Sequence, residues 1–336
     1  MDSLTYFSDF LWKLLVVVSI CSGIIFAAFL LVQPLLKKVS GRLFNRVSQI
    51  SVVGVLSSVA FGSLLLLFVD QDIQEKCFGS FVQSRGSFEI TRIAAAIWLT
   101  GALGFLIKDV IQYRGFKKLL LQNSLHQESD YLIVTDEMSA ATVGILKSQV
   151  IIPLGLLRNS KVLGHVLSHE QTHSKNRDGL WSFAGLLVLR LCWFNPLAMF
   201  FERKRVLAME MATDEDVIQS QKFDPSEYTQ SLLTVLESNI SRASSRYAPG
   251  ATAGYEMLKA RIENLHLQES SGKRRWFEVS TLVVMLFAWA FGMGQAFASI
   301  NLQAVDPSEP MMCYQVQHEK MIEAWLQVEP PKNKCE

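Results

Sequence analysis

The sequence is poor in charged residues for a water-soluble protein. Only 19% of its 336 residues are charged and the mean hydropathy is +0.23, whereas soluble domains carry roughly a quarter charged residues. This shortage favours a membrane protein. The net charge is +1, and no run of Lys and Arg is longer than three residues. Nothing in the charge distribution therefore points to a nucleic-acid partner.

The sequence also has few cysteines, and none of them are spaced as metal-binding pairs. The five are Cys21, Cys77, Cys192, Cys313 and Cys335. Because no CxxC pair occurs, the pattern excludes a zinc finger, and five cysteines in a chain of this length do not form a dense disulfide scaffold.

Long apolar stretches are abundant. Four of them approach the roughly 20 residues that cross a bilayer, at residues 14–32, 50–69, 90–107 and 279–300. Asp2 and Asp9 precede the first stretch and no small-residue cleavage site follows it, so we interpret it as a retained span and not a signal peptide. The sequence predicts an α-helical integral membrane protein with about four transmembrane helices.

The basic residues around these stretches predict the orientation. They follow the first and third stretches and precede the fourth: Lys37, Lys38, Arg42 and Arg46; Lys108, Arg114, Lys117 and Lys118; and Lys273, Arg274 and Arg275. The loop at 70–89 instead has four acids against two basic residues. We therefore predict a multi-pass protein of a bacterial-type inner membrane, with both termini outside and residues 108–275 in the cytoplasm.

A fifth apolar stretch begins at residue 179 but is not predicted to cross. Basic residues flank both of its ends, and Asn195-Pro196 interrupts it. We interpret residues 179–210 as a helical hairpin, whose arms of about 22 and 21 Å return the chain to its starting level. The sequence leaves open whether this hairpin enters the bilayer.

The motif His169-Glu170-Gln171-Thr172-His173 carries the chemistry. Two histidines four residues apart project from one face of a helix about 5–6 Å apart, which suits binding of one Zn²⁺ ion. Glu170 is adjacent to the first ligand and can take a proton from the water that zinc activates, then pass it to the leaving amine.

A catalytic zinc needs a third protein ligand. The HxxGxxH continuation is absent, because Asn176 stands at the glycine position and Gly179 at the third histidine position. Glu210 is the best candidate, since the hairpin returns it to the site. Asp214, one turn further along, can accept the second N–H of a ligating histidine.

Other polar residues near the motif have alternative interpretations. Glu202 and Glu215 are rival ligands, although Glu202 lies far from the end of its helix and Glu215 points to a different face. His165, one turn before His169, favours a packing or substrate-side role. Arg190 is expected to pair with a carboxylate or carbonyl inside the fold.

The order of these elements resembles the BlaR/MecR-type membrane metallopeptidases, signal-transducing relatives of the HtpX and CAAX prenyl protease group. The matching stretches are TVGILKSQVIIP at 142–153, LSHEQTHSKNRD at 167–178, WFNP at 193–196, MEMATDE at 209–215 and LKARIENL at 258–265. The resemblance implies a gluzincin fold in which His169, His173 and Glu210 bind zinc. It also implies Glu170 as general base and Asp214 as the partner of a ligating histidine.

The resemblance further implies a small sheet whose edge strand holds an extended substrate by β-augmentation. This substrate strand comprises Thr142, Val143, Gly144, Ile145 and Leu146, and residues 149–152 form its neighbour. Read without the family, these segments and residues 131–135 are β-branched runs that end at Pro153, which favours strands.

The predicted organisation has four parts: a three-span membrane region at 1–107, a cytoplasmic α+β zinc metallopeptidase domain at 108–275, a last transmembrane helix at 276–300, and an extracytoplasmic tail at 301–336. The family's antibiotic receptors carry a penicillin-binding sensor domain after the last span. Residues 301–336 contain no SxxK acylation motif, so we expect this chain to lack that domain. Thr213 is a second departure, since small residues or cysteine are more usual there.

We therefore expect a membrane-embedded zinc endopeptidase that cleaves a cytoplasmic or membrane protein, such as a repressor, in signal transduction. One alternative is quality-control proteolysis of the HtpX type, and another is a non-catalytic receptor that keeps the gluzincin as a scaffold. Expected partners are the lipid bilayer, a protein substrate and an extracytoplasmic sensor that docks on the tail. The oligomeric state stays open, a homo-oligomer included.

Overall fold

The computed structural model describes residues 3–68, 85–127, 131–135, 138–243 and 249–267. The helices are α1 (Ser3–Val39), α2 (Gly41–Phe68), α3 (Arg85–Gln122), α4 (Ser160–Lys175), α5 (Asp178–Leu191), α6 (Pro196–Gln221), α7 (Pro225–Ala243) and α8 (Pro249–Leu267). The predicted fourth span at 279–300, the tail at 301–336 and Cys77 lie outside the described residues, so their predictions stay predictions.

Three of the described helices are long and apolar enough to cross a membrane. Their candidate spans are Phe10–Lys38, Gly41–Leu64 and Ile90–Gln122. Helix α3 does not stop at the predicted domain boundary after residue 107, because residues 108–122 contain no proline to end it. At 1.5 Å per residue its 38 residues reach about 57 Å, well beyond the roughly 30 Å of a hydrocarbon core.

A small mixed sheet follows α3. Its strands are β1 (Ser124–Gln127), β2 (Tyr131–Val134), β3 (Ala141–Val143) and β4 (Gln149–Pro153), in the order β1-β2-β4-β3. Strands β2 and β4 are parallel, whereas β1 and β3 pair antiparallel with their neighbours. Strand β3 therefore lies at an edge, and β1 is a strand that the sequence analysis did not predict.

The predicted substrate strand was too long. Strand β3 ends at Val143, so Gly144, Ile145 and Leu146 lie outside it. Gly144 has a φ of 127°, a conformation that favours glycine, and it turns the chain away from the sheet. Leu146 is 87% exposed, and the edge available to a partner strand is Ala141–Val143.

Helices α5 and α6 form an antiparallel hairpin that packs among the candidate spans. Asn195 caps α6 by accepting a hydrogen bond from Leu197 N at 3.0 Å, and Pro196 occupies the first turn, where its missing N–H costs nothing. Phe201 stacks on Phe26 of α1 with ring centroids 4.8 Å apart. The Nδ2 atom of Asn195 lies 3.4 Å from Ser22 Oγ, near the centre of Phe10–Lys38. The hairpin tip thus lies in the apolar layer that the three long helices define.

Helix α6 is also attached to the turn between α1 and α2. The Glu215 carboxylate accepts hydrogen bonds from Ser40 Oγ at 2.9 Å, from Arg42 N at 3.3 Å and from Gly41 N. A carboxylate at the first turn of α2 satisfies N–H groups that have no partner within the helix. This contact joins the first two long helices to the helix that carries Glu210 and Asp214.

Candidate metal centre

Three side chains converge at the base of the hairpin. His169 and His173 lie one turn apart on α4, and their Nε2 atoms are 3.1 Å apart. Glu210 of α6 places Oε2 3.3 Å from His169 Nε2 and Oε1 3.6 Å from His173 Nε2. One donor atom from each of the three lies within 4.8 Å of the others.

The outward-facing nitrogens of both histidines are held by hydrogen bonds. His173 Nδ1 donates to Asp178 Oδ2 at 2.7 Å. His169 Nδ1 donates to the Tyr228 hydroxyl at 2.9 Å, and that hydroxyl donates to Asp214 Oδ1 at 2.8 Å. These contacts direct both Nε2 atoms at the centre. Two imidazole nitrogens and one carboxylate form the donor set of many catalytic zinc sites, so the residues fit this metal.

Arg261 of α8 neutralises the carboxylates of the centre. Its guanidinium contacts Glu210 Oε2 at 3.0 Å and both oxygens of Asp214 at 2.7 Å. Burial alone would raise the pKa of each acid. The positive charge of Arg261 outweighs it, lowering the pKa of Asp214 to about 2 and that of Glu210 far below its usual range. Both side chains are therefore anionic near neutral pH.

The same acids favour a proton on His169. Asp214 Oδ1 also lies 3.3 Å from His169 Nδ1, and Glu210 Oε2 lies 3.3 Å from Nε2. Burial opposes the charged imidazole, but these two carboxylates outweigh it and raise the pKa of His169 to about 10. A metal ion must displace this proton to bind Nε2, so metal binding at this centre releases protons.

Glu170 lies beside the centre and contacts the edge strand. Thr142 Oγ1 of β3 is 2.8 Å from both Oε2 and the backbone oxygen of Glu170. Thr142, predicted as a substrate-strand residue, thus also orients the predicted general base. The strand, the base and the three candidate ligands border one cavity of about 980 Å³.

The rival ligands have other partners. Glu202 forms a two-bond ion pair with Arg205 at 2.7 Å, and Glu215 caps α2 as described above. His165 hydrogen-bonds Ser231 Oγ at 2.7 Å, packs edge-on against Phe223 and lines the cavity, a position that suits either the packing or the substrate-side role. Arg190 forms its predicted carboxylate pair with Asp109, at 2.6 and 2.9 Å.

A histidine at the position of Gly179, as in the longer zinc motif, would not fit this structure. A Cβ atom at this position would lie 2.0 Å from the backbone oxygen of Gly144, so any side chain, histidine included, would collide with the chain that follows β3. The close approach of Gly144 and Gly179 holds the end of the edge strand against the start of α5.

Sequence reasoning missed three residues of the centre: Asp178, Tyr228 and Arg261. Asp178 is close to His173 only because Arg177 adopts a left-handed conformation, with φ 55°, and reverses the chain between α4 and α5. Its hydroxyl neighbour Thr213 lies 3.4 Å from Asp178 Oδ2, which gives the unusual threonine a contact at the site. Tyr228 and Arg261 come from other helices and share no spacing with the motif. Arg261 could have been suspected from the matching stretch LKARIENL.

Comparison with known proteins identifies the family of the chain. The family model described as BlaR1 peptidase M56 matches residues 10–265. Relatives named methicillin resistance mecR1 protein, from Staphylococcus aureus and Staphylococcus epidermidis, are 22% identical over 213 residues. The similarity covers 55% of this chain and 36% of each relative, so the chain spans about a third of the length of these relatives. Because the family model covers most of the sequence, including every residue of the centre, the chain belongs to the BlaR1 peptidase M56 family of membrane peptidases.

Proposed function

We propose that the chain is a zinc-dependent endopeptidase that cleaves a cytoplasmic or membrane protein in signal transduction. The observation that carries this proposal is the position of Glu170, which borders the same cavity as the three candidate ligands and lies next to an accessible strand edge. His169, His173 and Glu210 would hold the metal, and Asp214 and Asp178 would orient the histidines. When bound, zinc supplies a Lewis acid that brings the pKa of water towards neutrality.

The chain's own residues supply the remaining steps. Among the described strands β3 pairs with β4 alone, so an extended substrate can form backbone hydrogen bonds along its other edge. Glu170, oriented by Thr142, takes a proton from the attacking water and delivers it to the nitrogen of the departing amine. The water oxygen first forms a C–O bond to the peptide carbonyl carbon, and the C–N bond breaks once its nitrogen has the proton. The two products are a carboxylate and an amine.

The test compares wild type with Glu170→Gln in intact cells. Glutamine keeps the size of the side chain but cannot act as a base, so we expect zinc to be retained and cleavage abolished. Zinc in the purified proteins is measured by mass spectrometry, and cellular fragments by N-terminal proteomics. Fragments present only with wild type support the enzyme and identify its substrate. Signalling output that survives in Glu170→Gln, without any such fragment, instead supports a non-catalytic receptor.

The alternative of quality-control proteolysis makes a different prediction in the same experiment. A signalling protease yields one or a few fragments, whereas a quality-control protease yields many that come from unrelated membrane proteins. The number and origin of the fragments therefore distinguish the two enzyme hypotheses.

A further inference from the structure

Helices α3 and α5 form two walls of the cavity at the metal centre, and β3, α4, α6, α7 and α8 supply the rest of its lining. The part between α3 and α5 is called the groove below. From α3 it is lined by Leu106, Asp109, Val110, Tyr113, Arg114 and Lys117, and from α5 by Gly179, Ser182, Phe183 and Leu186. The spacings of three and four residues define one stripe on each helix. The α3 stripe, from Leu106 to Lys117, is about 17 Å long at 1.5 Å per residue, enough for about five residues of an extended peptide.

The groove crosses from the apolar layer towards water. Trp98 of α3 is level with the hairpin tip, because its Nε1 donates to Leu191 O at 2.8 Å and its backbone oxygen accepts from Trp193 Nε1 at 3.1 Å. Counting from Trp98 along α3, Leu106 lies at about 12 Å and Arg114 at about 24 Å. Half of a hydrocarbon core is about 15 Å thick. With the middle of the predicted span 90–107 at the bilayer midplane, Leu106 lies inside the apolar layer, and Arg114 and Lys117 lie outside it.

The metal centre lies between these levels. Glu210 is about 22 Å along α6 from Asn195 at the hairpin tip, which corresponds to the lipid headgroups and not to the hydrocarbon. A substrate bound beside the ligands thus has one end directed at the apolar layer and the other at water.

Charge along the α3 stripe is confined to its outer end. Asp109 is neutralised by its two-bond pair with Arg190. Arg114 and Lys117 are exposed, and no carboxylate among the described residues forms an ion pair with either of them. The inner walls are apolar, with Val110 on one side and Phe183 and Leu186 on the other.

We propose that this groove selects a juxtamembrane substrate segment that is apolar on the membrane side of the cleaved bond and acidic on the water side, with Arg114 and Lys117 as specificity-determining residues. This inference rests on the proposed function, since it assigns the substrate class of the same site. Carboxylates of the substrate supply the counter-charges that Arg114 and Lys117 lack among the described residues.

The test uses the full-length protein in phosphatidylcholine nanodiscs and a peptide library prepared from a cell proteome. Cleaved peptides are sequenced for wild type, for the double variant Arg114→Glu with Lys117→Glu, and for the matched control Lys108→Glu with Lys118→Glu. The control reverses two charges on exposed residues of the same helix that do not line the cavity. The control therefore changes the net charge on the predicted cytoplasmic side of α3, which orients the protein in the membrane, by the same amount as the Arg114/Lys117 variant.

We expect Asp and Glu to be enriched on one side of the bonds that wild type and the control cleave. In the Arg114/Lys117 variant, cleavage of acidic peptides should fall roughly five- to tenfold, because two exposed charge contacts with the substrate are each worth up to about 1 kcal/mol. Cleavage without acidic enrichment in wild type, or with equal enrichment in both double variants, overturns the inference. If Arg114 and Lys117 contact only anionic lipids and not the substrate, the two double variants should again show equal acidic enrichment.

A second measurement separates this inference from the proposed function. If wild type cleaves no more peptides than Glu170→Gln, the proposed function fails, and the inference is decided by binding instead. The immobilised Glu170→Gln protein is incubated with the same library, with and without the Arg114/Lys117 substitutions. Retention of acidic peptides that depends on Arg114 and Lys117 supports the groove, and retention without acidic preference overturns it.

Discussion

Three consecutive acids of α6 have three different structural roles. Asp214 contacts Arg261 and the Tyr228 hydroxyl at the metal centre, whereas Glu215 caps α2 from a different side of the helix. Asp216 pairs with Arg42 and accepts a hydrogen bond from Asn176 at the end of α4. Successive residues of a helix are about 100° apart, so neighbouring acids face different elements. The presence of several acids in a row therefore does not indicate which of them acts at the metal centre.

Asp178 is expected to control zinc affinity through His173. In Asp178→Asn a neutral amide replaces the carboxylate that accepts the Nδ1 proton, so His173 becomes a weaker and less oriented ligand. We expect zinc affinity to fall on the order of 10–100-fold, measured by competition with a chelator. Asp216→Asn is the control, because it removes the same charge from a residue that contacts no candidate ligand. Equal affinities in the two variants would show that Asp178 does not hold His173.

At the scale of whole elements, the site depends on how the hairpin and the sheet meet. Helix α5 begins at Asp178, which contacts His173, and the adjacent Gly179 lies against the backbone of Gly144 at the end of β3. The first turn of α5 thus positions both the candidate ligand His173 and the end of the substrate strand β3. The absence of a side chain at Gly179 is what allows this approach.

Gly179→Ala is expected to destabilise the protein by about 1–3 kcal/mol, because the added methyl collides with a backbone atom that cannot rotate away. The measurement is the midpoint of thermal unfolding of the purified protein in detergent. Gly164→Ala is the matched control: Gly164 is exposed within α4, and a Cβ there meets no atom within 4 Å. Alanine stabilises a helix by roughly 0.5–1 kcal/mol relative to glycine. The unfolding midpoint of Gly164→Ala should therefore be equal to or higher than that of wild type. A lowered midpoint in Gly164→Ala, or an unchanged one in Gly179→Ala, would contradict this account.

At the scale of the whole molecule, the side of the membrane on which the centre lies decides which substrates it reaches. The charge pattern predicts residues 108–275 in the cytoplasm and the tail outside. In the described residues α4 packs on β3 and β4, and the outer part of α3 lines the same cavity as the candidate ligands. The orientation of the chain in the membrane therefore decides whether cytoplasmic proteins can reach the metal centre.

Thiol labelling in intact, reduced cells tests the orientation. In chains that retain only Cys313 or only Cys335, an impermeant maleimide should label the tail without opening of the inner membrane. A single cysteine introduced at Lys118, which is exposed on α3, is the internal control and should be labelled only after opening. The reverse pattern would place the metal centre outside the cytoplasm and remove cytoplasmic proteins from its substrates.

The sequence by itself determined those features that depend on local periodicity. The four-residue spacing of His169 and His173 places both on one helix face whatever surrounds them, and Asn195-Pro196 ends one helix and starts the next because proline lacks an N–H. Long apolar runs likewise predicted the three described candidate spans, since span length follows from bilayer thickness. The choice of Glu210 required one further step, the return of the hairpin.

Only the tertiary structure decided which distant side chains meet. Tyr228 and Arg261 reach the centre from α7 and α8, and no sequence spacing records a contact between separate helices. Strand β3 ends at Val143 because Gly144 turns the chain against Gly179, a constraint that arises 35 residues away along the chain. The depth of the hairpin is set by packing of Phe201 on Phe26. Such contacts depend on how preformed elements pack, and packing is a property of the assembled fold and not of any one segment.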